Sequence, residues 1–511
     1  MIFRQGTPSV FIRDPLPGPV QNTGFYYIMN DLTSRLLVYG DLGDNSILKQ
    51  LSLAFDTWDK GTCDAHMKPH IVRSIYDQIK RLLDLATDYG FNRNLWQDYL
   101  TFVLMTNENS FSLVTERGTK QHGSIDLLVK ADFEIFRQLF HYDFSGIEED
   151  LGIDCFSIIT DYHAIDKKKQ RYNKSVSDMV RCLSDRLSKA ADADAFYDII
   201  TDQYLHYGVG MIGLNAAFRV RPLSCDEASG STASFEQSIF SNADDVALVP
   251  IYNLDRRMLS DLVGYEQQKE ELRRNTEAFL DGKASNNILL YGDAGTGKSS
   301  SVKALISEYY DRGLRMIEIY KHQFRDLSAV IARIKNRNFR FIIFIDDLSF
   351  EENEVEYKFL KAVIEGGVEN WPENVVIYAT SNRRHLIRET WNDRTDMEHN
   401  EDIHRSDTVE EKLSLSARFG VRIFYPAPRH AEFQNIVLSL ARRKGLDPAE
   451  WPDERILQGA ISWERRAGGP TGRVAEQYIS YGLSEKKDPM GSEDAYERSY
   501  PYSTLKKESS T

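Results

Sequence analysis

The chain has 511 residues, of which 41% are hydrophobic and 27% are charged, a composition typical of a globular protein with two or three domains. Its formal net charge of −14 argues against nonspecific binding of the whole chain to nucleic acid or to a membrane surface. Four widely spaced cysteines, no uninterrupted apolar stretch long enough to span a bilayer, and no secretory pattern in the first thirty residues lead us to expect a cytoplasmic protein.

The N-terminal half, residues 1–223, is predicted to be a mostly helical domain that recognises an unknown protein partner. Two short runs in it, at 36–39 and 125–129, have the apolar character of β-strands, so its fold stays open. Apolar residues recur at helical spacing in four longer stretches, at 71–89, 95–105, 133–140 and 195–207.

Two segments lack the periodic apolar residues that a packed element needs. Residues 224–248 hold serines, a glycine and a cluster of acids, and they are predicted to be an exposed linker. Residues 484–511 are polar and poor in aliphatic side chains, and they are predicted to be a disordered tail.

Two motifs in the N-terminal half suggest chemistry that their surroundings do not support. Residues 208–213 match G-x-G-x-x-G but follow a helical pattern rather than a strand, so a tight turn or close helix packing is a better interpretation than a dinucleotide site. Cys63, His66 and His70 have a spacing that suits zinc, yet no fourth ligand is evident. Neither motif is predicted to bind a cofactor.

Residues 249–426 alternate short apolar strands with helical stretches. This alternation predicts an α/β core with a parallel sheet covered by helices on both faces, in which ligands bind at the carboxyl ends of the strands. Residues 427–483 are predicted to follow as a small helical lid. The predicted strands are 288–291, 316–320, 341–345, 375–380 and 421–425.

The first of these strands runs into a complete G-x-x-x-x-G-K-[ST] phosphate loop, which a helical pattern follows. Glycines permit positive φ angles that turn several N–H groups toward one phosphate, and the helix N-terminus adds its dipole. Lys298 can then reach the β- and γ-phosphates, and the Ser299 hydroxyl can join the shell of a bound metal ion. The sequence therefore predicts ATP and Mg²⁺ as cofactors. The predicted phosphate-binding residues are Gly292, Asp293, Ala294, Gly295, Thr296, Gly297, Lys298, Ser299 and Ser300.

The apolar strand at 341–345 ends in two carboxylates, Asp346 and Asp347. Asp346 is predicted to hold Mg²⁺ through its water shell, together with Ser299. Asp347 is predicted to orient or deprotonate the attacking water. Many buried strands end at an Asp that only begins a loop, but the spacing of about fifty residues from the phosphate loop favours the functional interpretation.

Together with further segments, these motifs resemble the AAA+ superfamily of P-loop ATPases over residues 250–482. The resemblance implies an AAA+ parallel sheet flanked by helices, with a small helical lid. The phrases at 291–300 and 380–386 are similar to those of bacterial ATP-binding proteins of a domain family with no assigned function. That similarity names no substrate.

The resemblance also assigns roles to four segments. It implies that Asn382 hydrogen-bonds the attacking water or the γ-phosphate, and that Arg418 is an arginine finger at the edge of a subunit. It implies further that Arg473 reaches back from the lid toward the nucleotide. The element containing Val263 and Gly264 is implied to pack against adenine, and the Arg418 edge to form a homo-oligomer.

Each of the three polar residues has a structural alternative. Asn382 can cap the next turn, because Asn side chains hydrogen-bond nearby backbone. Arg418 can pair with the acids at 410–411, and Arg473 can pair with Glu476 on the same helix.

Two features depart from the superfamily pattern. Most members place Glu after the magnesium-binding Asp, whereas Asp347 is one methylene shorter, and a misplacement of about 1 Å costs on the order of a hundredfold in rate. Slow hydrolysis is therefore expected unless the backbone compensates or Glu351 or Glu352 assists. In addition, residues 320–325 lack the aromatic-aliphatic-Gly loop of protein-threading motors, which disfavours an unfoldase.

Three hypotheses about function follow. The leading one is an Mg²⁺-dependent ATPase whose hydrolysis remodels a partner or drives its assembly. The second is a nucleotide-gated binding switch or scaffold in which hydrolysis is slow. The third is a nucleic-acid loader or initiator, because several such proteins share this sheet, sensor pattern and arginine-bearing lid, but the acidic charge disfavours it. The basic residues 442–444 could touch nucleic acid, but such a cluster near a helix end more often complements the helix dipole.

Overall fold

The computed structural model describes residues 28–59, 67–118, 123–164, 174–222, 246–252, 254, 257–350, 354, 356–365, 371–382 and 417–484. The chain divides into two compact units. The first comprises Met1–Thr115 and Thr119–Tyr204, and the second comprises Glu116–Gly118 and Leu205–Thr511. Nearly all of the predicted linker and tail, and Cys63 and His66 of the zinc-like spacing, lie outside the described residues.

Helices account for the regular structure in the described part of the first unit, apart from one isolated β-bridge between Arg93 and Tyr162. The prediction of a mostly helical N-terminal region is confirmed. The helices are α1 (Ile28–Ser34), α2 (Ile47–Asp59), α3 (Lys68–Tyr89), α4 (Leu95–Thr106), α5 (Ser110–Glu116), α6 (Ser124–Phe140), α7 (Ser145–Leu151), α8 (Cys155–Thr160), α9 (Lys174–Leu187) and α10 (Ala193–Tyr207).

Neither of the two β-like runs in this unit is a strand. Residues 125–129 lie within α6, because the apolar residues continue at helical spacing to the end of that helix. Residues 36–39 form a bend whose N–H groups are bonded by one side chain: the buried Asp132 carboxylate accepts from Leu37, Val38 and Tyr39 at 2.8–3.2 Å. A side-chain acceptor here replaces the partner strand that a β-strand needs.

The second unit is built on a seven-stranded sheet with the strand order β2-β1-β4-β5-β6-β3-β7. Strands β4, β5, β6, β3 and β7 run parallel, as do β1 and β4, while β2 is antiparallel to β1. The five predicted strands are all present, and the α/β class is confirmed. The strands are β1 (Ala217–Pro222), β2 (Val246–Pro250), β3 (Ile288–Gly292), β4 (Leu314–Glu318), β5 (Arg340–Ile345), β6 (Val375–Ser381) and β7 (Val421–Tyr425).

Strands β1 and β2 extend the sheet beyond the core of 249–426 that the sequence predicts. Phe218 and Val220 of β1 are buried, and the pairing of Ala217 with Met316 begins the parallel ladder to β4. The segment before β1 belongs to the same unit: α11 (Gly210–Leu214) is buried throughout. A short alternating run does not reveal a partner strand that lies about a hundred residues further along the chain.

The glycine-rich motif at 208–213 forms a tight turn into α11. Gly208 and Gly210 have φ angles of 80° and 72°, and a Cβ on Gly213 would lie 2.6 Å from the carbonyl carbon of Gly208. The glycines therefore serve close backbone packing, as the sequence indicates, and the motif follows helix α10 rather than a strand.

Helices cover the sheet and form the lid. The lid helices share a small apolar core of their own, to which Phe433, Ile456 and Tyr478 each contribute from a different helix. No helix among the described residues is long and apolar enough to cross a bilayer. The helices after β2 are α12 (Glu266–Leu280), α13 (Lys298–Tyr309), α14 (Leu327–Ile334), α15 (Glu356–Glu365) and the lid helices α16 (His430–Arg443), α17 (Asp453–Ala467) and α18 (Gly472–Ser484).

Candidate nucleotide-binding site

The phosphate loop connects β3 to α13 at the carboxyl edge of the sheet. Gly292, Gly295 and Gly297 have φ angles of 136°, 74° and 92°, a region that L-residues rarely adopt. A Cβ on Gly292 would lie 2.1 Å from the carbonyl oxygen of Tyr425, so that position accepts only glycine. The loop therefore has the backbone conformation that turns N–H groups inward around an anion.

Lys298 is buried at the start of α13, and its ammonium group lies within the loop. Its Nζ donates to the carbonyl oxygens of Gly292 and Asp293 at 3.0 and 2.6 Å. Burial lowers the pKa of Lys298 below its ordinary value, the negative charges of Asp293 and of residues 346–347 oppose this shift, and the charge of Arg473 adds to it. The lysine, the acid pair and the lid arginine thus act on one another within a single site.

Ser299 and Asp346, the predicted magnesium ligands, are in direct contact. The Ser299 hydroxyl donates to Asp346 Oδ1 at 2.5 Å, and the Thr380 hydroxyl donates to the same oxygen at 2.6 Å. A hydroxyl and a carboxylate side by side are the oxygen donors that Mg²⁺ takes beside a nucleotide. The described part of the chain holds no group of three or more His, Cys, Asp or Glu side chains that could bind a metal by themselves.

Asp347 has a left-handed backbone conformation, with φ at 53°. Its N–H donates to Thr380 Oγ1 at 3.0 Å, and its Oδ1 accepts from the Asn382 amide at 2.9 Å. Asn382 therefore lies beside the predicted catalytic carboxylate and bonds it directly. Asp is one of the few non-glycine residues that adopt this backbone region with little strain.

A second set of charges extends from Asp346 along the sheet edge. Lys303 of α13 lies 3.9 Å from Asp346 Oδ2 and 3.7 Å from Glu318, which ends β4. Glu318 is largely buried, and it also accepts from Arg219 Nε at 2.9 Å. The two oxygens of Asp346 are therefore differently occupied: hydroxyl donors bond Oδ1, and a cation faces Oδ2.

The lid contacts the phosphate loop through the start of α18. The Arg473 N–H donates to the Gly295 carbonyl at 3.3 Å, and a Cβ on Gly295 would lie 3.1 Å from Thr471 Oγ1. The Arg473 side chain is exposed, and Glu476, its alternative partner, instead pairs with Arg257 at 2.9 Å. The lid therefore places an arginine directly above the loop.

The segment before α12 lies between the lid and β7. Val263 packs against the lid core, and Gly264 takes a φ of 80° that turns the chain into α12. Tyr265 stacks on Tyr425 with ring centroids 5.0 Å apart, and its hydroxyl donates to the Pro426 carbonyl at 2.8 Å. This element is thus fixed to the connection between the sheet and the lid.

Arg418 precedes the amino end of β7, whereas the phosphate loop lies at the carboxyl ends of the strands. It comes three residues before Val421, which pairs with Ile288 at the start of β3, whereas the phosphate loop begins at Gly292. Four residues of strand separate the two levels, or about 13 Å. Arg418 is therefore not brought to its own phosphate loop. Its alternative partners at 410–411 lie outside the described residues.

Two further segments bear on the alternatives. Residues Lys321–Asp326 form a 3₁₀ helix in which Phe324 is buried, where a threading motor carries an exposed pore loop. The basic residues at and just after the end of α16 contact groups of the same unit: Arg442 contacts Asp453, Arg443 contacts the Asp261 carbonyl, and Lys444 contacts Ser480.

Sequence reasoning missed three residues of this site. The sequence assigned no role to Thr380, Lys303 or Tyr265, because a threonine on a strand, a lysine on a helix and a tyrosine at a helix start are all common. Only the sheet order, which places β6 between β5 and β3, brings Thr380 beside the acid pair.

A phosphate loop after β3, two acids after β5, an asparagine after β6 and a helical lid on one mostly parallel sheet define an AAA+ P-loop fold. Residues 233–486, just under half of the chain, match the family model described as "Protein of unknown function (DUF815)".

Comparison with solved structures finds similarity to RuvB from Thermotoga maritima. A RuvB variant is 14% identical, with a TM-score of 0.29, and the match covers 47% of this chain and 76% of that one. A structure of the RuvB Holliday junction branch migration motor is 15% identical, with a TM-score of 0.28 and the same coverage. At these values the likeness says nothing about activity or substrate. Comparison with curated proteins finds no match.

Proposed function

We propose that this chain is an Mg²⁺-dependent ATPase that couples its nucleotide state to the remodelling or assembly of a protein partner. The observation that supports this most is the convergence of Lys298, Ser299, Asp346, Asp347 and Asn382 around one phosphate loop. A buried strand end alone does not require these five side chains to meet.

In this proposal each residue has a defined task. The inward N–H groups of the loop and Lys298 bind the triphosphate, and Ser299 and Asp346 hold Mg²⁺, which when bound neutralises charge on the β- and γ-phosphates. Asp347 accepts a proton from the attacking water, and Asn382 positions that water. Arg473 contacts the nucleotide from the lid.

We expect Asp347 to allow hydrolysis of ATP, but at a low rate. It is shorter than the usual Glu, but its left-handed backbone directs the carboxylate toward Asn382, to which it is bonded. We infer that the turn compensates in part for the missing methylene. Hydrolysis then serves to end an ATP-bound state rather than to supply continuous work.

A nucleotide-gated switch is the second candidate. Residues 320–325 lack the aromatic-aliphatic-Gly sequence of a threading loop, and Phe324 is buried in a 3₁₀ helix although Tyr320 is exposed, which favours this candidate over polypeptide threading. The internal contacts of residues 442–444 make a nucleic-acid loader the weakest candidate.

Phosphate release from the purified full chain tests the proposal. We expect wild-type turnover that requires Mg²⁺, and a loss of about a hundredfold or more in Lys298→Ala and in Asp347→Asn. Lys283→Ala is the matched control, because Lys283 is an exposed lysine paired with Asp281. Equal rates in all four proteins would remove the catalytic assignment.

Light scattering separates the switch from an enzyme whose assembly ignores nucleotide. A switch predicts a molar mass that differs between ATP and ADP in the Asp347→Asn variant, which we expect to bind ATP and to hydrolyse it at least about a hundredfold more slowly. A mass independent of nucleotide would count against the switch and would leave the hydrolysis proposal intact.

A further inference from the structure

Thr380, near the end of β6, lies between the two acids of the candidate site. It is 2% exposed. Its carbonyl oxygen also accepts the Leu348 N–H at 2.6 Å. Thr380 thus bonds three consecutive residues of the turn after β5: Asp346, Asp347 and Leu348.

The hydrogen-bond directions around the Thr380 hydroxyl are determined by its neighbours. A backbone N–H can only donate, so the Asp347 N–H at 3.0 Å uses a lone pair of Oγ1. The hydroxyl hydrogen is then free for Asp346 Oδ1 at 2.6 Å. One side chain therefore orients the first carboxylate and holds the backbone that aims the second.

We propose that Thr380 is a positioning residue for both acids, which sets the Mg²⁺-binding orientation of Asp346 and the left-handed turn at Asp347. This proposal rests on the proposed function. Without the hydroxyl, Asp346 Oδ1 loses one of its two hydroxyl donors, and the Asp347 N–H loses its partner. An unpaired N–H at this partly buried position favours a different turn.

The test compares Thr380→Val with Thr380→Ser. Valine keeps the volume and β-branching of threonine, whereas serine keeps the hydroxyl. Thr276→Val is the matched control: Thr276 is equally buried in the same unit and hydrogen-bonds Tyr378 and the Leu272 carbonyl, but it contacts neither acid.

The main measurement is the affinity for a fluorescent, non-hydrolysable ATP analogue with excess Mg²⁺ and with EDTA. For Thr380→Val we expect the Mg²⁺-dependent gain in affinity to fall by about tenfold or more, as for other residues that orient a metal ligand. Affinity in EDTA stays within about twofold, because Lys298 and the loop are unchanged. Thr380→Ser and Thr276→Val keep the wild-type gain.

Several outcomes overturn the proposal. A wild-type Mg²⁺ gain in Thr380→Val, or an equal loss in Thr276→Val, means that the hydroxyl contributes only packing or general stability. If Thr380→Val does not fold, Thr380→Ala is compared with Thr380→Ser in its place. A wild-type protein that binds no analogue at all defeats the proposed function itself, which distinguishes the two failures.

Discussion

At the scale of single residues, the site depends on backbone conformations that few side chains permit. Gly292 has a φ of 136° with the Tyr425 carbonyl directly beside it, whereas Gly297 has a φ of 92° with open space where a Cβ would lie. Substitutions at these two glycines therefore distinguish the effect of a steric collision from the effect of backbone strain alone.

We predict that Gly292→Ala destabilises the chain by about 3 kcal/mol or more, since it combines strain with a backbone collision. Gly297→Ala adds strain alone and costs about 1–2 kcal/mol. Thermal unfolding of both variants without nucleotide checks this order. Equal losses would show that the collision with Tyr425 is relieved by a small shift of β7.

Asp98 is a buried carboxyl of α4 in the first unit. Burial raises the pKa of Asp98 to about 6, although hydrogen bonds from the Ser184 side chain and the Asn92 N–H oppose the shift. The unfolded chain ionises this group near pH 4. The folded state thus binds more protons between these values, so stability falls as the pH rises from about 4 to about 6, and the whole cost is present above pH 6.

We predict that Asp98→Asn stabilises the protein by about 1–3 kcal/mol at pH 8, because it removes a buried charge and keeps an acceptor for the Asn92 N–H. The gain shrinks as the pH falls toward 4.5, where the wild-type carboxyl is protonated. The urea midpoint at both pH values measures this. An unchanged gain at the lower pH would contradict the titration.

At the scale of elements, the lid contacts the phosphate loop directly through groups of the protein itself. The start of α18 donates an N–H to Gly295 and places Arg473 over the loop, while Arg257 pairs with Glu476 on the same helix. The lid can thus respond to what the loop binds. The two arginines offer a matched comparison.

We predict that Arg473→Ala weakens ATP binding by about tenfold, the value of one charge-assisted hydrogen bond, and weakens ADP binding less. Arg257→Ala removes an ion pair to the same helix and leaves both affinities within about twofold. Equilibrium titrations of each variant with ATP and with ADP measure these affinities. Equal effects of the two variants would mean that Arg473 only supports the lid.

Elements whose own residues carry the signal were predictable from the sequence. Strands 288–292, 340–345 and 375–381 are largely apolar, as two-sided burial requires, whereas 314–318 and 421–425 are apolar runs that each contain an arginine. The acid pair and Asn382 follow those strands directly and so were found with them.

Elements whose signal lies in a distant partner were not predictable. β1 pairs with β4 about a hundred residues later, and the bend at 36–39 depends on the carboxylate of Asp132. The role of Thr380 could be found only from the strand order, because Thr380 bonds the turn after β5, which lies beside β6 in the sheet but not in the sequence. Local periodicity contains none of this information.

At the scale of the whole molecule, Arg418 raises the question of assembly. It lies at the amino edge of β7, about 13 Å along the strands from its own phosphate loop. An arginine that serves hydrolysis from there must act on the loop of another copy. This supports the proposal of a homo-oligomer formed through the Arg418 edge.

We predict that Arg418→Ala and Lys298→Ala are each inactive alone and regain activity when mixed. In a mixture, the intact Arg418 of one variant serves the intact loop of the other, and an equal mixture reaches about a quarter of the wild-type rate if subunits exchange freely. Phosphate release from the mixture is the measurement. No recovery, with subunit exchange verified by a fluorescent label, would contradict action between subunits.

The central claim is that the loop around Lys298 binds a nucleoside triphosphate. Calorimetric titration of MgATP into the full-length protein and into Lys298→Ala tests this most directly. We predict saturable heat with about one site per chain for the wild type. For Lys298→Ala we predict a loss of at least about tenfold in affinity. No saturable heat with folded wild-type protein would contradict the account.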